Sequence, residues 1–206
     1  MNTYRKPIYL SGPHGGGKST LTEALKKSSD VFLENDFDID FTIDFPSIAS
    51  LSHFERSLVR LYHRFFIAHY AESFARKNSG KIILTNRTVY DSEAYIHVYR
   101  ELKWITEEQF QKLQFVMGNF APAPRAIVLN PSVEVIKARL SKRRDAATRS
   151  NRDKIFQNED SDIFIEHLRD YFTKFQGREN VLYLENNEAG DIKKIIEWVV
   201  FGIGFH

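Results

Sequence analysis

Residues 12–19 are Gly12-Pro13-His14-Gly15-Gly16-Gly17-Lys18-Ser19, with Thr20 next. The spacing fits G-x-x-x-x-G-K-[ST]. Four glycines among six residues let the backbone wrap so that successive N–H groups point at one spot. A lysine and a hydroxyl follow where a helix would begin, and its positive end adds to the cradle. Such a site suits a chain of phosphates. The context agrees. Ile8-Tyr9-Leu10 is a short apolar run that stops at Ser11-Gly12-Pro13, as a buried strand entering a loop does. From Ser19 the pattern turns helical, with Leu21, Ala24 and Leu25 on one face. The expected contacts to the nucleotide are Gly12, Pro13, His14, Gly15, Gly16, Gly17, Lys18, Ser19 and Thr20. Lys18 is expected to reach the β- and γ-phosphates, and Ser19 to join the Mg²⁺ shell. His14 either fills a variable loop position or takes part in the chemistry.

Outward from the loop, short apolar runs alternate with helical patterns. Strands are expected at Val31–Leu33, Lys81–Leu84, Arg125–Leu129 and Val181–Leu184. Helices are expected at 54–74, 90–101, 106–117, 133–144, 164–175 and 191–200. Continuous apolar strands between helices imply an α/β domain around a parallel sheet, because such strands are covered on both faces.

Composition narrows the function classes. The chain has 206 residues, which predicts one domain. Twenty-nine basic residues against 27 acidic ones leave a net charge of +2, a balance that argues against a general nucleic-acid or membrane binder. With no cysteine, disulfides, thiol catalysis and cysteine-zinc sites are excluded. No apolar run approaches the roughly 18 residues of a membrane helix, and the first residues lack a signal-peptide core. The expected location is the cytoplasm. The histidines show no metal-ligand spacing.

Three further stretches bear on the chemistry. Thr85-Asn86-Arg87-Thr88 follows the third strand, and ligands of such sheets sit beyond the strands' carboxyl ends. Arg87 there could hold a substrate phosphate by a bidentate contact. The segment 137–154 is rich in Lys and Arg, including Arg139, Arg143 and Arg144. A basic lid of this kind could stabilise a transferring phosphoryl group and exclude water; a solvated helix face or a nucleic-acid patch are its other readings. Glu34 and Asp36 come soonest after the second strand and are the candidates for a base that orients an acceptor hydroxyl. Aromatic residues crowd 37–70, mostly as core. Tyr62 and Arg64 have polar ends and are the expected ligand contacts there.

On these residues the chain resembles the deoxynucleoside kinase and thymidylate kinase group of P-loop kinases. Residues 11–20 match its phosphate loop, Asn86-Arg87-Thr88 occupies the place of its acidic-Arg motif, 133–144 is similar to its lid helix, and 54–74 resembles the helix that walls its acceptor pocket. The resemblance implies a P-loop NTPase fold with a five-stranded parallel sheet, order 2-3-1-4-5, flanked by helices. It also implies transfer of the γ-phosphate of ATP, with Mg²⁺, to a nucleoside or nucleoside monophosphate. Lys18, Glu34 or Asp36, Arg87, Arg139 and Arg143 would carry the reaction, with Arg143 also on the nucleotide. Tyr62, Arg64, Arg87 and Asp91 would face the acceptor, and Ser19 and Asn86 the metal. The chain departs from the group where Asn86 stands for a carboxylate, for which Asp91 is the candidate substitute, and where the Glu-Pro signature after the second strand is missing. Two other enzyme readings are transfer to another small hydroxyl compound and to a polynucleotide 5′ end. A reading from another class is a weakly catalytic nucleotide sensor. A homodimer through the apolar helices is a further expectation.

Overall fold

The computed structural model describes residues 4–35, 46–119, 124–145, 156–185 and 189–201. Five short strands, β1 (Ile8–Ser11), β2 (Phe32–Glu34), β3 (Ile82–Asn86), β4 (Ala126–Leu129) and β5 (Val181–Leu184), form one parallel sheet in the order β2-β3-β1-β4-β5. This is the order the resemblance implied. The helices are α1 (Lys18–Ser28), α2 (His53–Lys77), α3 (Val89–Glu101), α4 (Glu107–Gly118), α5 (Val133–Asp145), α6 (Asp162–Thr173) and α7 (Ala189–Phe201). Single 3₁₀ turns lie at Pro46–Ser50 and Gln157–Asp160.

The strands alternate between two apolar layers, as period-2 geometry requires. Tyr9, Ala126, Val128 and Val181 point into a core shared with α2, α3, α4 and α6. Ile8, Leu10, Ile82, Leu84, Ile127 and Leu129 point to the other face, against Leu21 and Leu25 of α1 and Ile195 and Val199 of α7. Both faces are thus covered, and the strands read as unbroken apolar runs for that reason.

The expected elements are present, with shifted ends. The sixth helix begins at Asp162 rather than Phe164, because Ser161 takes the extended N-cap conformation, and it stops at Thr173 rather than Phe175, with Lys174 as its C-cap. The helix expected over 54–74 runs from His53 to Lys77. Ser52 and Glu55 form a reciprocal capping box at its start. Thr88–Asp91 and Thr106–Gln109 do the same for α3 and α4. At α1 no side chain caps the first turn; Gly17 enters it with φ of 100°.

In the sheet β1 lies beside β4, and the chain leaves β1 toward β2 on one side but leaves β4 toward β5 on the other. A crevice opens at that switch point beyond the carboxyl ends. The phosphate loop, Glu34, Asn86 and Arg87 all stand at this edge of the sheet. Asp36 and the acid–aromatic stretch after it, with Phe37, Phe41 and Phe45, lie outside the described residues. So do Arg149, Arg152 and Lys154 of the basic segment, and the side chain of Arg144.

Candidate active site

The loop after β1 is tightly built. Gly12 has φ of 130°, and a Cβ there would come within 2.1 Å of the Leu129 carbonyl oxygen of β4. Only glycine fits so close an approach. Gly15 and Gly17 also take positive φ. Gly16 donates its N–H to the Pro13 carbonyl at 3.0 Å. Lys18 is buried and donates to the carbonyls of Gly12 and Pro13 at 2.7 and 2.8 Å. Its ammonium therefore lies within the loop that it is expected to serve. Ser19 and Thr20 stand exposed on the first turn of α1.

Beside this loop is a cavity walled by Ser57, Arg60 and Arg64 of α2, Arg87, and Asp91 and Tyr95 of α3. Ser92 and Ile96 complete it. Ser57, Arg60 and Arg64 fall at helical spacing on one face. Arg87 reaches the cavity from the end of β3 in a left-handed conformation, φ 71°, its N–H donating to the Leu10 carbonyl at 2.7 Å. A non-glycine residue held there costs roughly 1–2 kcal/mol and marks a constrained position. Burial works against the charge of Arg87, but Tyr95 and Asp91 outweigh it and hold the guanidinium above its ordinary pKa. Arg60 is likewise raised against its burial, by Glu159 first.

Asp91 joins the cavity to the loop. Its Oδ2 accepts from the Ser11 hydroxyl at 2.7 Å and from the Thr88 N–H at 2.8 Å. Its Oδ1 accepts from the Gly12 N–H at 3.3 Å and from Arg87 at 3.4 Å. Both oxygens are thus committed inside the protein. Asp91, the candidate substitute for the missing metal carboxylate, thus braces the loop against Arg87.

Asn86 has a different neighbour. Its Nδ2 donates to Glu34 Oε1 at 3.3 Å, while Glu34 Oε2 pairs with Lys26 at 2.9 Å. The Asn86 Oδ1 is buried with no hydrogen-bond partner among the described residues. A hydroxyl, an amide oxygen and a nearby carboxylate are hard oxygen donors, the chemistry that Mg²⁺ takes. No group of three or more His, Cys, Asp or Glu side chains could hold a metal among the described residues.

Other expected residues are placed as follows. Arg139 of α5 donates to the carbonyls of Gly15 and Gly16 at 3.3 and 3.0 Å, so it docks the helix on the phosphate loop. Arg143, one turn further, is exposed. Arg64 lines the cavity, but Tyr62 does not: it is 50% exposed on another face of α2. Two residues turn a helix by about 200°, which points Tyr62 away from Arg60 and Arg64 alike. The sequence reading missed Arg60, Tyr95 and Glu159. Arg60 lies four residues before Arg64, and that spacing alone would have placed both on one wall. Glu159 lies 2.9 Å from Arg60 across 99 residues and carries no local signal.

No protein-family model matches the chain, and no curated protein is significantly similar to it. Solved structures do match. A deoxyadenosine kinase from M. mycoides with bound dCTP has a TM-score of 0.67 at 15% identity, over 96% of this chain and 100% of that one. The same kinase with bound dATP has a TM-score of 0.65 at 15% identity, over 94% of this chain and 98% of that one. A thymidylate kinase from Candida albicans has a TM-score of 0.68 at 13% identity, over 94% of this chain and 92% of that one.

The chain has the fold of the deoxynucleoside and thymidylate kinases. Its structural neighbours are nucleoside and nucleotide kinases. No helix among the described residues is long and apolar enough to cross a membrane.

Proposed function

We propose that this kinase-fold chain transfers the γ-phosphoryl group of ATP, with Mg²⁺, to a nucleoside monophosphate. The observation that carries the reading is the cavity beside the phosphate loop, with three guanidinium groups on its walls: Arg60, Arg64 and Arg87. A neutral nucleoside offers such a wall no charge to bind. A phosphate offers oxygens in the geometry that guanidinium groups match. Asp91, shared between Arg87 and the loop, favours a fixed distance between acceptor and donor sites.

In this reading, the acceptor phosphate oxygen attacks the γ-phosphorus in line, a new P–O bond forms, and the bond to the β–γ bridging oxygen breaks. ADP leaves with the electron pair. A phosphate oxygen is already ionised near neutrality, so no base is required. Glu34 then serves through Asn86, next to the position where Ser19 and Asn86 would hold Mg²⁺. The ion supplies charge neutralisation to the phosphates. Lys18 binds the β- and γ-phosphates, and Arg143 covers the transferring group. Arg139 fixes the loop from behind. Only a nucleoside acceptor, with a hydroxyl to deprotonate, would call on Glu34 or Asp36, the acidic candidates after β2, as a base.

A product screen tests this. The protein is mixed with ATP, Mg²⁺ and a panel of nucleosides and monophosphates, and products are read by mass spectrometry. Diphosphates should form from at least one monophosphate, and Lys18→Ala should lower the rate by a factor of 100 or more, roughly the weight of one preorganised charge in the transition state. Wild-type turnover by Lys18→Ala would contradict the site. ATP binding without any phosphorylated product would favour the sensor reading, for which Asn86 in place of a carboxylate is the supporting observation.

Tyr62 and Phe66, one turn apart on α2, are 50% and 67% exposed. They support a homodimer packed through α2. Phe66→Glu should then lower the mass measured by light scattering to that of the monomer.

A further inference from the structure

The loop and the cavity are connected by a second route besides Asp91, and it passes through His14. This side chain is buried at a variable position of the phosphate loop. Its Nδ1 lies 2.8 Å from the Tyr95 hydroxyl. Its Nε2 lies 3.1 Å from Asp160 Oδ1, within ion-pair distance though off the line of a hydrogen bond. A carboxylate on one side and a hydroxyl on the other fix an imidazole's orientation.

Both ends of this chain of contacts touch the acceptor side. Tyr95 lines the cavity, with the guanidinium carbons of Arg60 and Arg87 at 5.6 and 5.9 Å from its ring centroid. Asp160 follows Glu159, which is buried and pairs with Arg60 at 2.9 Å. One 3₁₀ turn, Gln157–Asp160, therefore sends adjacent carboxylates to the two sites: Glu159 to an acceptor arginine and Asp160 to the donor-loop histidine. Phe156, just before the turn, has Arg60 over its ring at 4.7 Å.

We infer that Asp160, acting through His14 and Tyr95, couples occupancy of the phosphate loop to occupancy of the arginine-walled cavity. The inference rests on the proposed function, since it requires two ligands. An anion drawn between Arg60 and Arg87 sets the ring lying under them. The Tyr95 hydroxyl passes that setting to His14, whose backbone belongs to the loop. Asp160 holds the imidazole in register with the turn that also anchors Arg60. Asp160 and His14 are positioning residues here: neither lines the cavity. By linkage, each ligand must then raise the other's affinity by the same factor.

Calorimetry tests the coupling without turnover. The affinity of the non-hydrolysable analogue AMP-PNP, with Mg²⁺, is measured alone and with saturating dAMP, dCMP, dGMP or dTMP. In the wild type a monophosphate that binds should tighten AMP-PNP by about tenfold, within the usual range of coupling energies. In Asp160→Asn and in Tyr95→Phe the factor should fall to within about twofold of unity. The variants are conservative, and thermal unfolding shows whether each is folded; either one suffices. A merely structural role would weaken each ligand alone and leave the factor unchanged. A wild-type factor near one, or an unaltered factor in the folded variants, overturns the coupling alone. If neither AMP-PNP nor any monophosphate binds, the proposed function falls and the coupling falls with it.

Discussion

Gly12 shows how single positions constrain this protein. Its φ of 130° and the Leu129 carbonyl 2.1 Å from a would-be Cβ leave no room for alanine. Gly12→Ala should therefore cost more than about 1 kcal/mol, since both strain and collision act in the folded state. Urea denaturation checks this; an unchanged midpoint would show that β1 and β4 can separate there. Gly12 and Lys18 were legible in the sequence because a phosphate cradle fixes residue type and spacing together. Arg87 was legible as a cation at a strand end, though its left-handed backbone was not. Residue type alone places Tyr62 at the acceptor, whereas the helical rotation turns it away from the cavity. Asp91 lines the cavity, as an acceptor contact would, and the α3 capping box and the Ser11 hydroxyl also use its oxygens. Such competition among hydrogen bonds appears only once the chain is folded.

Helices and strands were legible where an apolar period and a cap coincide. The Ser52–Glu55 and Thr106–Gln109 boxes mark the starts of α2 and α4 within a residue of expectation. The 3₁₀ turn at Gln157–Asp160 had no such signal, because its four polar residues repeat no period. Its worth lies in what it reaches. Glu159 accepts hydrogen bonds from Arg60 and the Tyr99 hydroxyl, tying the turn to α2 and α3. Removing one partner of a buried ion pair leaves the other charge uncompensated, so Glu159→Ala should destabilise by about 3–5 kcal/mol. In an Arg60→Met background the same change should cost much less. A double-mutant cycle measures the difference. Additive effects would mean that the two side chains do not stabilise one another. The pair also explains why the cavity's wall of arginines is tolerated: like charges four residues apart on α2 repel, and Glu159 offsets one of them.

Across the whole molecule, the alternation of elements made the parallel α/β sheet legible and the resemblance alone implied its strand order, while contacts between distant segments were not legible. One consequence of the shared core is a pH response. Burial lowers the pKa of His53, His63 and His97 below 6.5, with nearby arginines adding to it, and His63 is pushed down to about 3. Between those values the unfolded chain binds more protons than the folded one. Stability must then rise with pH in that window and fall on acidification. Urea midpoints at pH 7.5 and 5.0 should differ in that direction, above the range of ordinary carboxylates, and His63→Gln should narrow the gap. An equal gap in that variant would remove His63 as a source. The proposed function requires that a phosphoryl group pass between the two sites at the carboxyl edge of the sheet. Phosphorus NMR of ATP, Mg²⁺ and deoxynucleoside monophosphates with the protein tests it most directly. The γ-phosphate signal of ATP should fall as a nucleoside diphosphate signal from the acceptor rises in equal measure. An unchanged γ signal, or its loss to inorganic phosphate alone, would contradict it.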